Sequence, residues 1–261
     1  MIRRSAIIPA VAFLWLAMTP QAGAEELVTS ISRHQVLVNS SFTGTSIVLF
    51  GTVEQDTAAA RRRVGRYNLV VTVTGPKESV VVRQKERVLG IWTNTASRTF
   101  TNVPSYLAVM ANRPADEFVN AELVRRLQLN LDNTILPQQI GPDLGDPGPA
   151  DTFRQNLVRL KTQSELYLEK TNGVTLLTPT VFRADVPLPA SAPIGSYDVD
   201  VKVFVDNNLI VRGNSAFEIV KVGFEQFVAT AAKDYGLLYG LTTAMMALLT
   251  GWFASVVFRR D

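Results

Sequence analysis

The stretch YDVDVKVFVDNNLIV, residues 197–211, predicts the central element of the fold. Tyr197 begins an alternation of apolar and polar residues that is typical of a strand with one face on a core. Asp206-Asn207-Asn208 follows, and Asn tolerates the positive φ that a tight hairpin turn requires. Leu209-Ile210-Val211 then predicts the returning strand. The stretch therefore predicts an antiparallel hairpin with one buried face.

The residues before this hairpin predict how the chain enters it. Leu188-Pro189 is followed by Gly195-Ser196-Tyr197, the Gly-x-Tyr order typical of immunoglobulin-like strands. In such a tyrosine corner, the Tyr hydroxyl bonds back to the backbone of the preceding turn. We therefore expect an immunoglobulin-like β domain over residues 173–223.

The first part of the chain is also predicted to be mainly strand. Between residues 25 and 112, short runs rich in Val, Ile, Leu and Thr are separated by Gly and Pro. Closely spaced short strands without intervening helices are typical of an antiparallel sandwich. The predicted strands are Arg33–Val38, Ser46–Phe50, Tyr67–Thr74, Ser79–Val82, Val88–Asn94 and Ser105–Ala111.

Two helices and a loop are predicted between these regions. Asp116–Leu129 carries apolar residues at helical spacing, and Asp151 is placed to cap a second helix. Leu136–Pro149 is rich in Gly and Pro and is predicted as a loop. Residues 113–172 thus form a helical connector. The predicted fold class is mainly β, with two β-sandwich, immunoglobulin-like domains joined by this short helical segment and followed by a long C-terminal transmembrane helix.

The last apolar segment predicts a membrane span. Residues 235–258 contain no charged residue, and as a helix they would be about 36 Å long, enough to cross a hydrocarbon core of about 30 Å. Apolar residues at helical spacing begin earlier, so residues 224–258 are predicted as one helix that contains the span. Arg259 and Arg260 follow directly. Because basic residues favour the cytoplasmic side, the tail, residues 259–261, is expected there.

Small side chains form a stripe along this predicted helix. They recur every three or four residues, which lets another helix backbone approach closely. We therefore expect the helix to contact the lipid bilayer and, through the stripe, a membrane-protein partner or a second copy. The stripe consists of Gly236, Gly240, Ala244, Ala247, Gly251 and Ser255.

The N-terminus predicts export. Arg3-Arg4, a short apolar stretch and Ala22-Gly23-Ala24 follow the order of a secretory signal peptide, residues 1–24. Basic and acidic residues balance once Arg3-Arg4, Arg259, Arg260 and Asp261 are left out. The net charge of +3 and the pI of about 9.3 therefore indicate membrane orientation, and no nucleic-acid partner is predicted.

The composition of the 261 residues excludes several kinds of chemistry. There is no Cys, so disulfides, thiol nucleophiles and iron–sulfur clusters are excluded. His34 is the only His, so a Ser-His-Asp triad would depend on it alone. Asp143 and Asp146 lack the spacing of a calcium loop, and Arg61-Arg62-Arg63 is interpreted as a solvated hairpin tip. No catalytic residue, metal or cofactor is predicted.

Short motifs are spread over nearly the whole chain after residue 24. They include Phe42-Thr43-Gly44 with Leu49-Phe50-Gly51, Val73-Thr74-Gly75-Pro76, Lys85-Glu86-Arg87 with Gly90-Ile91-Trp92-Thr93-Asn94, Val103-Pro104-Ser105-Tyr106, Phe182-Arg183-Ala184, Lys221-Val222-Gly223, Leu238-Tyr239-Gly240 and Gly251-Trp252. Together they resemble the alphaproteobacterial putative transmembrane protein family, whose members have a signal peptide, an extracytoplasmic region and one C-terminal helix. The resemblance implies a single-pass protein of the bacterial cytoplasmic membrane with its main domain in the periplasm. The family's association with sulfite-exporter-type permeases implies an accessory role beside a transporter.

Lys85, Arg87 and Trp92 belong to this series and are the candidate ligand-binding residues. Two interpretations stay open. The basic side chains and the indole form a binding site, or they make a structural ion pair or an Arg-on-Trp contact.

Three hypotheses for the function follow. The leading one is a non-enzymatic, membrane-anchored accessory or interaction protein for a membrane partner such as a transporter. The first alternative is a periplasmic ligand-binding or sensory ectodomain that uses Arg87 and Trp92 or the Arg61 cluster. The second alternative is a hydrolase of unrecognised type, which would depend on His34 and on scattered carboxylates.

Overall fold

The computed structural model describes residues 26–54, 66–140, 143–223, 228 and 231–258. The predicted signal peptide, Arg61-Arg62-Arg63 and the tail 259–261 lie outside this part of the chain. The strands are β1 (Glu26–Ile31), β2 (Gln35–Val38), β3 (Gly44–Glu54), β4 (Asn68–Thr74), β5 (Lys77–Val88), β6 (Ile91–Pro104), β7 (Leu107–Ala111), β8 (Gln138–Ile140), β9 (Asp143–Gly145), β10 (Tyr167–Lys170), β11 (Val174–Leu176), β12 (Val181–Pro189), β13 (Gly195–Val205) and β14 (Asn208–Lys221). The helices are α1 (Ala121–Leu127), α2 (Thr152–Gln163) and α3 (Gly236–Val257).

The strands form three sheets. Sheet A has the order β1-β3-β12-β11, sheet B the order β10-β7-β4-β13-β14-β2, and sheet C the order β5-β6-β8-β9. Pairing is antiparallel except for β10 with β7 and β14 with β2, which are parallel. The predicted fold class is confirmed at this level: the chain is mainly β, with several sheets and one long C-terminal apolar helix.

Strands of the two predicted β domains pair with each other in both main sheets. β12 lies antiparallel to β3, from Val181 opposite Thr52 to Pro189 opposite Gly44. β13 lies antiparallel to β4. The regions 25–112 and 173–223 therefore share sheets A and B, which corrects the predicted domain boundaries. The physical reason is that the backbone groups of β3 and β4 find their hydrogen-bond partners in the later strands.

Two apolar clusters lie on opposite faces of sheet B. The first lies between sheets A and B and contains the inward side chains of β13, such as Val199, Val201 and Val203. Gly51 of β3 belongs to this layer, because an added Cβ would lie 2.3 Å from the Phe182 ring. The second cluster includes Phe204 and is covered by α1, α2 and the base of sheet C. Sheet B is thus buried on both faces over part of its area.

The helical connector is confirmed in part. Asp151 accepts a hydrogen bond from the Arg154 amide at 2.8 Å and caps α2 as predicted. The first predicted helix is instead a short 3₁₀ turn, Ala115–Glu117, followed by α1, which Asn120 caps. The predicted loop contains the short hairpin β8–β9. These strands are too short to show the alternation of apolar and polar residues by which a strand is predicted from the sequence.

The hairpin predicted from residues 197–211 is confirmed. β13 and β14 are joined by Asp206 and Asn207, with φ of 47° and 65°. Tyr197 Oη donates to the Pro193 carbonyl at 2.6 Å, which is the predicted bond back to the preceding turn. Two further buried tyrosines make similar bonds: Tyr106 Oη to the Pro187 carbonyl at 2.5 Å and Tyr167 Oη to the Pro104 carbonyl at 2.8 Å.

These three tyrosines predict alkaline destabilisation. Burial raises the pKa of Tyr106, Tyr167 and Tyr197 above the ordinary value of a phenol, so above pH about 10 the unfolded chain releases protons that the folded chain keeps. The contribution of these neutral tyrosines to the free energy of unfolding is therefore complete below pH about 10, and it is lost as the pH rises towards and through their raised pKa values. Urea unfolding of residues 26–223 between pH 8 and 11 should show a falling free energy of unfolding, by up to about 1.4 kcal/mol per pH unit for each tyrosine.

A Tyr106→Phe variant is the control for this pH dependence, since lysines also titrate in the same range. The variant should lose about 1 kcal/mol at pH 8, where the wild type keeps its hydrogen bond, and should show a shallower decline above pH 10. An unchanged slope would contradict the assignment to this tyrosine.

Candidate functional site

The candidate residues Lys85, Arg87 and Trp92 lie on a hairpin that projects from the body. β5 and β6 pair from Lys77 opposite Pro104 to Val88 opposite Ile91. All residues from 83 to 98 are exposed, and we call this segment the arm. Arg87 is the cross-strand partner of Trp92, whereas Lys85 faces Asn94. The structure thus brings Arg87 and Trp92 together, on an open surface.

The predicted strand over Val88–Asn94 is replaced by the turn of this hairpin. β5 ends at Val88, Leu89 and Gly90 form the turn, and β6 begins at Ile91. The turn is closed by Arg87, whose Nε donates to the Gly90 carbonyl at 3.2 Å. No cation–π contact between Arg87 and Trp92 occurs among the described residues, so the predicted Arg-on-Trp contact is not observed.

The base of the hairpin is held by α2. Lys161 of α2 makes an ion pair with Glu78 of β5. The guanidinium of Arg98 lies 5.6 Å from the centre of the Phe153 ring. Lys85 borders an open cleft of about 280 Å³ between β5 and α2. The arm therefore extends from a fixed base, which matters because an isolated two-stranded hairpin is only marginally stable in water.

The end of the arm is apolar and exposed. The side chains of Leu89, Ile91 and Trp92 are 99%, 69% and 68% exposed, and Val88 is about half exposed. We call Val88, Leu89, Ile91 and Trp92 the tip. Four basic residues and one acidic residue occupy the arm: Arg83, Lys85, Arg87, Arg98 and Glu86. The arm thus combines an apolar end with a net charge of +3 along its length.

Other polar residues that the sequence singled out have ordinary structural surroundings. His34 is exposed immediately before β2, and its carbonyl accepts from the Glu218 amide at 2.9 Å. Asp146 accepts from the Gly148 amide at 3.1 Å and lies 3.8 Å from Arg154 Nε. Among the described residues, no three His, Asp or Glu side chains lie close enough to hold a metal ion.

A buried charge cluster on β13 was missed by the sequence reasoning. Lys202 is only 4% exposed and makes an ion pair with Asp200. Asp200 also accepts two hydrogen bonds from Arg212, at 2.6 and 2.9 Å. The alternation of β13 assigned Lys202 to solvent, but the covering of sheet B by the connector buries this position. In the sequence, the only indication that this face is buried was Phe204, an apolar residue two positions after Lys202 on the same face of β13.

The apolar helix α3 begins at Gly236 and ends at Val257, within the predicted span 235–258. It is the one described helix long and apolar enough to cross a membrane, and none of its side chains is buried by the body. Residues 231–234 are also helical, but Tyr235 has a non-helical backbone, with φ of −127° and ψ of 42°. Residues 224–227 and 229–230 of the predicted helix 224–258 lie outside the described part of the chain. At Tyr235 the helix is locally distorted, but the helical hydrogen bonds continue: the Tyr235 amide donates to the Ala231 carbonyl at 3.0 Å, and the Tyr239 amide donates to the Tyr235 carbonyl at 2.9 Å.

The polar groups and the small-residue stripe of α3 suit a lipid environment. The hydroxyls of Thr242 and Thr243 donate to the carbonyls of Leu238 and Tyr239, at 2.7 and 2.9 Å, so neither needs water. Within the stripe, an added Cβ on Gly236, Gly240 or Gly251 would meet no atom of the described part of the chain within 4 Å. This face of the helix is therefore open to another helix.

Comparison with known proteins agrees with this anatomy. No curated protein matched the chain. A family model described as a putative transmembrane protein, Alph_Pro_TM, matches residues 26–260, which include the sandwich, the arm and the apolar helix. Since the match covers most of the sequence, the chain belongs to the Alph_Pro_TM family of transmembrane proteins.

Proposed function

We propose that this membrane-anchored chain is a non-enzymatic accessory protein of the bacterial cytoplasmic membrane, with its body in the periplasm. In this proposal it binds a membrane partner, such as a transporter, through α3. The charge flanks of the helix support the orientation, because two basic residues, Arg259-Arg260, directly follow it, whereas one, Lys233, directly precedes it. The lack of Cys leaves no thiol nucleophile, and the single His leaves one imidazole that could act as a general base.

The open small-residue stripe on α3 is the observation that carries the proposal. In lipid there is little hydrophobic drive between helices, so association depends on close backbone packing. Gly240 and Gly251 offer such an approach, and no described residue of the body covers them. Gly is common in membrane helices, but here the three glycines lie on one face together with Ala244, Ala247 and Ser255, and this alignment is what close packing of a second helix requires.

Affinity purification of the intact protein in mild detergent tests the stripe. The wild type should retain a membrane protein or a second copy of itself. The double variant Gly240→Leu/Gly251→Leu should retain at least about tenfold less, since two packing contacts of about 1 kcal/mol each would be lost.

A matched variant adds volume elsewhere on α3. Thr242→Leu lies on the side opposite the stripe and should retain as much partner as the wild type. A wild-type protein that purifies reproducibly as a solitary monomer, or equal losses in the two variants, would count against the proposal.

A further inference from the structure

The arm and the chain that leads to α3 leave sheet B at the same end. β4 and β7 pair up to Thr74 opposite Leu107, and the same register continues to Lys77 opposite Pro104. Asp198 of β13 has two cross-strand partners, Thr74 of β4 and Ala216 of β14. Because β13 is antiparallel to both strands, β14 runs in the same direction as β4. Both strands therefore point to one end of the sandwich, where β14 ends at Lys221.

The lengths of the two segments are compatible with a common plane. At about 3.3 Å per residue, the tip lies at most about 46 Å from Thr74, and the end of β14 lies about 17 Å beyond Ala216. The hairpin does not simply prolong sheet B, because β5 and β6 belong to sheet C, and Val82 and Phe100 pack in the cluster on one face of sheet B. Residues 222–235 connect β14 to α3 and can span at most about 46 Å. A connection of this length lets the body turn until the tip meets the membrane surface at which α3 enters.

The turn of the arm uses an unexpected residue. Leu89 has φ of 50° and Gly90 has φ of 86°, and the first of these positions strongly favours Asn or Asp. The β13–β14 turn has the same backbone signs and does use Asp206 and Asn207. A bulky apolar residue with positive φ is a genuine outlier, and such outliers point to function. Leu89 is 99% exposed at this turn, so no packing of its side chain within the described residues explains the choice.

We propose that the tip inserts into the interface of the bilayer in which α3 is anchored, as a second membrane contact. In this arrangement Val88, Leu89 and Ile91 enter the boundary between headgroups and acyl chains, and the Trp92 indole lies at the depth that Trp prefers. The basic residues of the arm then face anionic headgroups. Together, the tip and α3 fix the orientation of the sandwich on the membrane, independently of any partner of α3.

The shape and charge of the arm favour lipid over a protein partner. The tip is a narrow, convex end of a two-stranded hairpin, and a protein would need a matching groove, whereas a fluid interface adapts to any apolar shape. Four basic residues against one acidic residue complement anionic phospholipids, and each Lys or Arg near such a surface contributes about fivefold in binding. A protein partner is the alternative that the test must detect.

The absence of Cys makes a direct test possible. In Leu89→Cys the introduced thiol is the only one in the full chain, and an environment-sensitive fluorophore on it reports the polarity at the tip. The protein is reconstituted into vesicles of phosphatidylcholine with or without phosphatidylglycerol. Glu122→Cys is the matched control, because it is exposed on α1, and α1 follows Asn120, which is bonded to Asn207 at the opposite end of sheet B.

In anionic vesicles the label at position 89 should shift to the blue and be quenched by lipid-bound nitroxide but not by iodide. The label at position 122 should show the reverse. Adding Ile91→Ser/Trp92→Ser should return the label at 89 to water without lowering the thermal midpoint, since both side chains are exposed. Replacing Arg83, Lys85 and Arg87 by Gln should lower the ratio of inserted to free tip about fivefold for each residue in anionic vesicles only.

Two results would overturn the proposal. The label at 89 could be as accessible to iodide as the label at 122 in both kinds of vesicle, which would exclude insertion. It could be protected only in native membranes that contain other proteins, which would identify a protein partner. Equal protection in neutral and anionic vesicles would support the insertion and would show that the apolar side chains of the tip drive it without the basic residues.

Discussion

Residues 26–112 expressed alone should remain unfolded, whereas residues 26–223 should fold. The shorter fragment contains β1 to β7 but lacks β12 and β13, the partners of β3 and β4. It also loses the Phe182, Val201 and Phe204 side chains from the two apolar clusters. Burying one such side chain contributes about 1.5–3 kcal/mol, so the loss of many exceeds the 5–15 kcal/mol by which domains are stable. Far-UV circular dichroism and urea unfolding measure the difference.

Mixing two fragments is the control for this expectation. Residues 113–223 supply the missing strands, so adding this fragment to residues 26–112 should restore β structure and a cooperative transition. The two should elute together at the size of the intact body. A cooperative unfolding transition of residues 26–112 alone would contradict the shared sandwich and would support two separate domains.

Local features of the fold were predictable because short-range chemistry determines them. The hairpin turn at Asp206-Asn207 needs residues that accept positive φ, and both residue types are visible in the sequence. Asp151 caps α2 through its own side chain, three residues from the amide it binds. The apolar helix follows from an uncharged stretch that only lipid accommodates. Each of these involves residues close together in the chain.

The pairing of distant strands was not predictable from the same patterns. An alternation of apolar and polar residues identifies a strand, but every such strand offers the same backbone groups to any neighbour. β3 and β12 are separated by more than a hundred residues, and nothing in either sequence specifies the other. The regions were therefore assigned to two domains, although both supply strands to one sandwich.

In the candidate site, too, some features follow from the local sequence and others depend on residues far away in the chain. Lys85, Arg87 and Trp92 were identified in the sequence, and Arg87 does face Trp92. The turn between them was missed, because Leu89 is not a turn-forming residue and the stretch resembles a continuous strand. Their exposure was also not predictable, since it results from the way the hairpin extends beyond α2.

Asp200→Ala should destabilise the body more than the loss of a surface ion pair would. Asp200 is the carboxylate partner of Lys202, whose ammonium is buried, and of Arg212, which is more than half exposed. Removing one partner of a buried pair costs about 3–5 kcal/mol, because the remaining charge stays buried without compensation. Urea unfolding followed by far-UV circular dichroism should show a loss of about 3 kcal/mol. Arg212→Ala, the exposed half of the cluster, should cost less than about 1 kcal/mol.

A double variant separates the buried charge from other effects of the Asp200 substitution. Lys202→Met keeps the length and apolar stem of the side chain but removes the ammonium. If the unpaired charge causes the loss, Asp200→Ala/Lys202→Met should recover to within about 1 kcal/mol of the wild type, since apolar replacements of buried pairs are often neutral. If the losses in the free energy of unfolding of the two single variants instead add in the double variant, Asp200 acts mainly through Arg212 or through packing. Recovery would mean that Lys202 lies in a position where sheet B tolerates an apolar residue, as the neighbouring Phe204 already indicates.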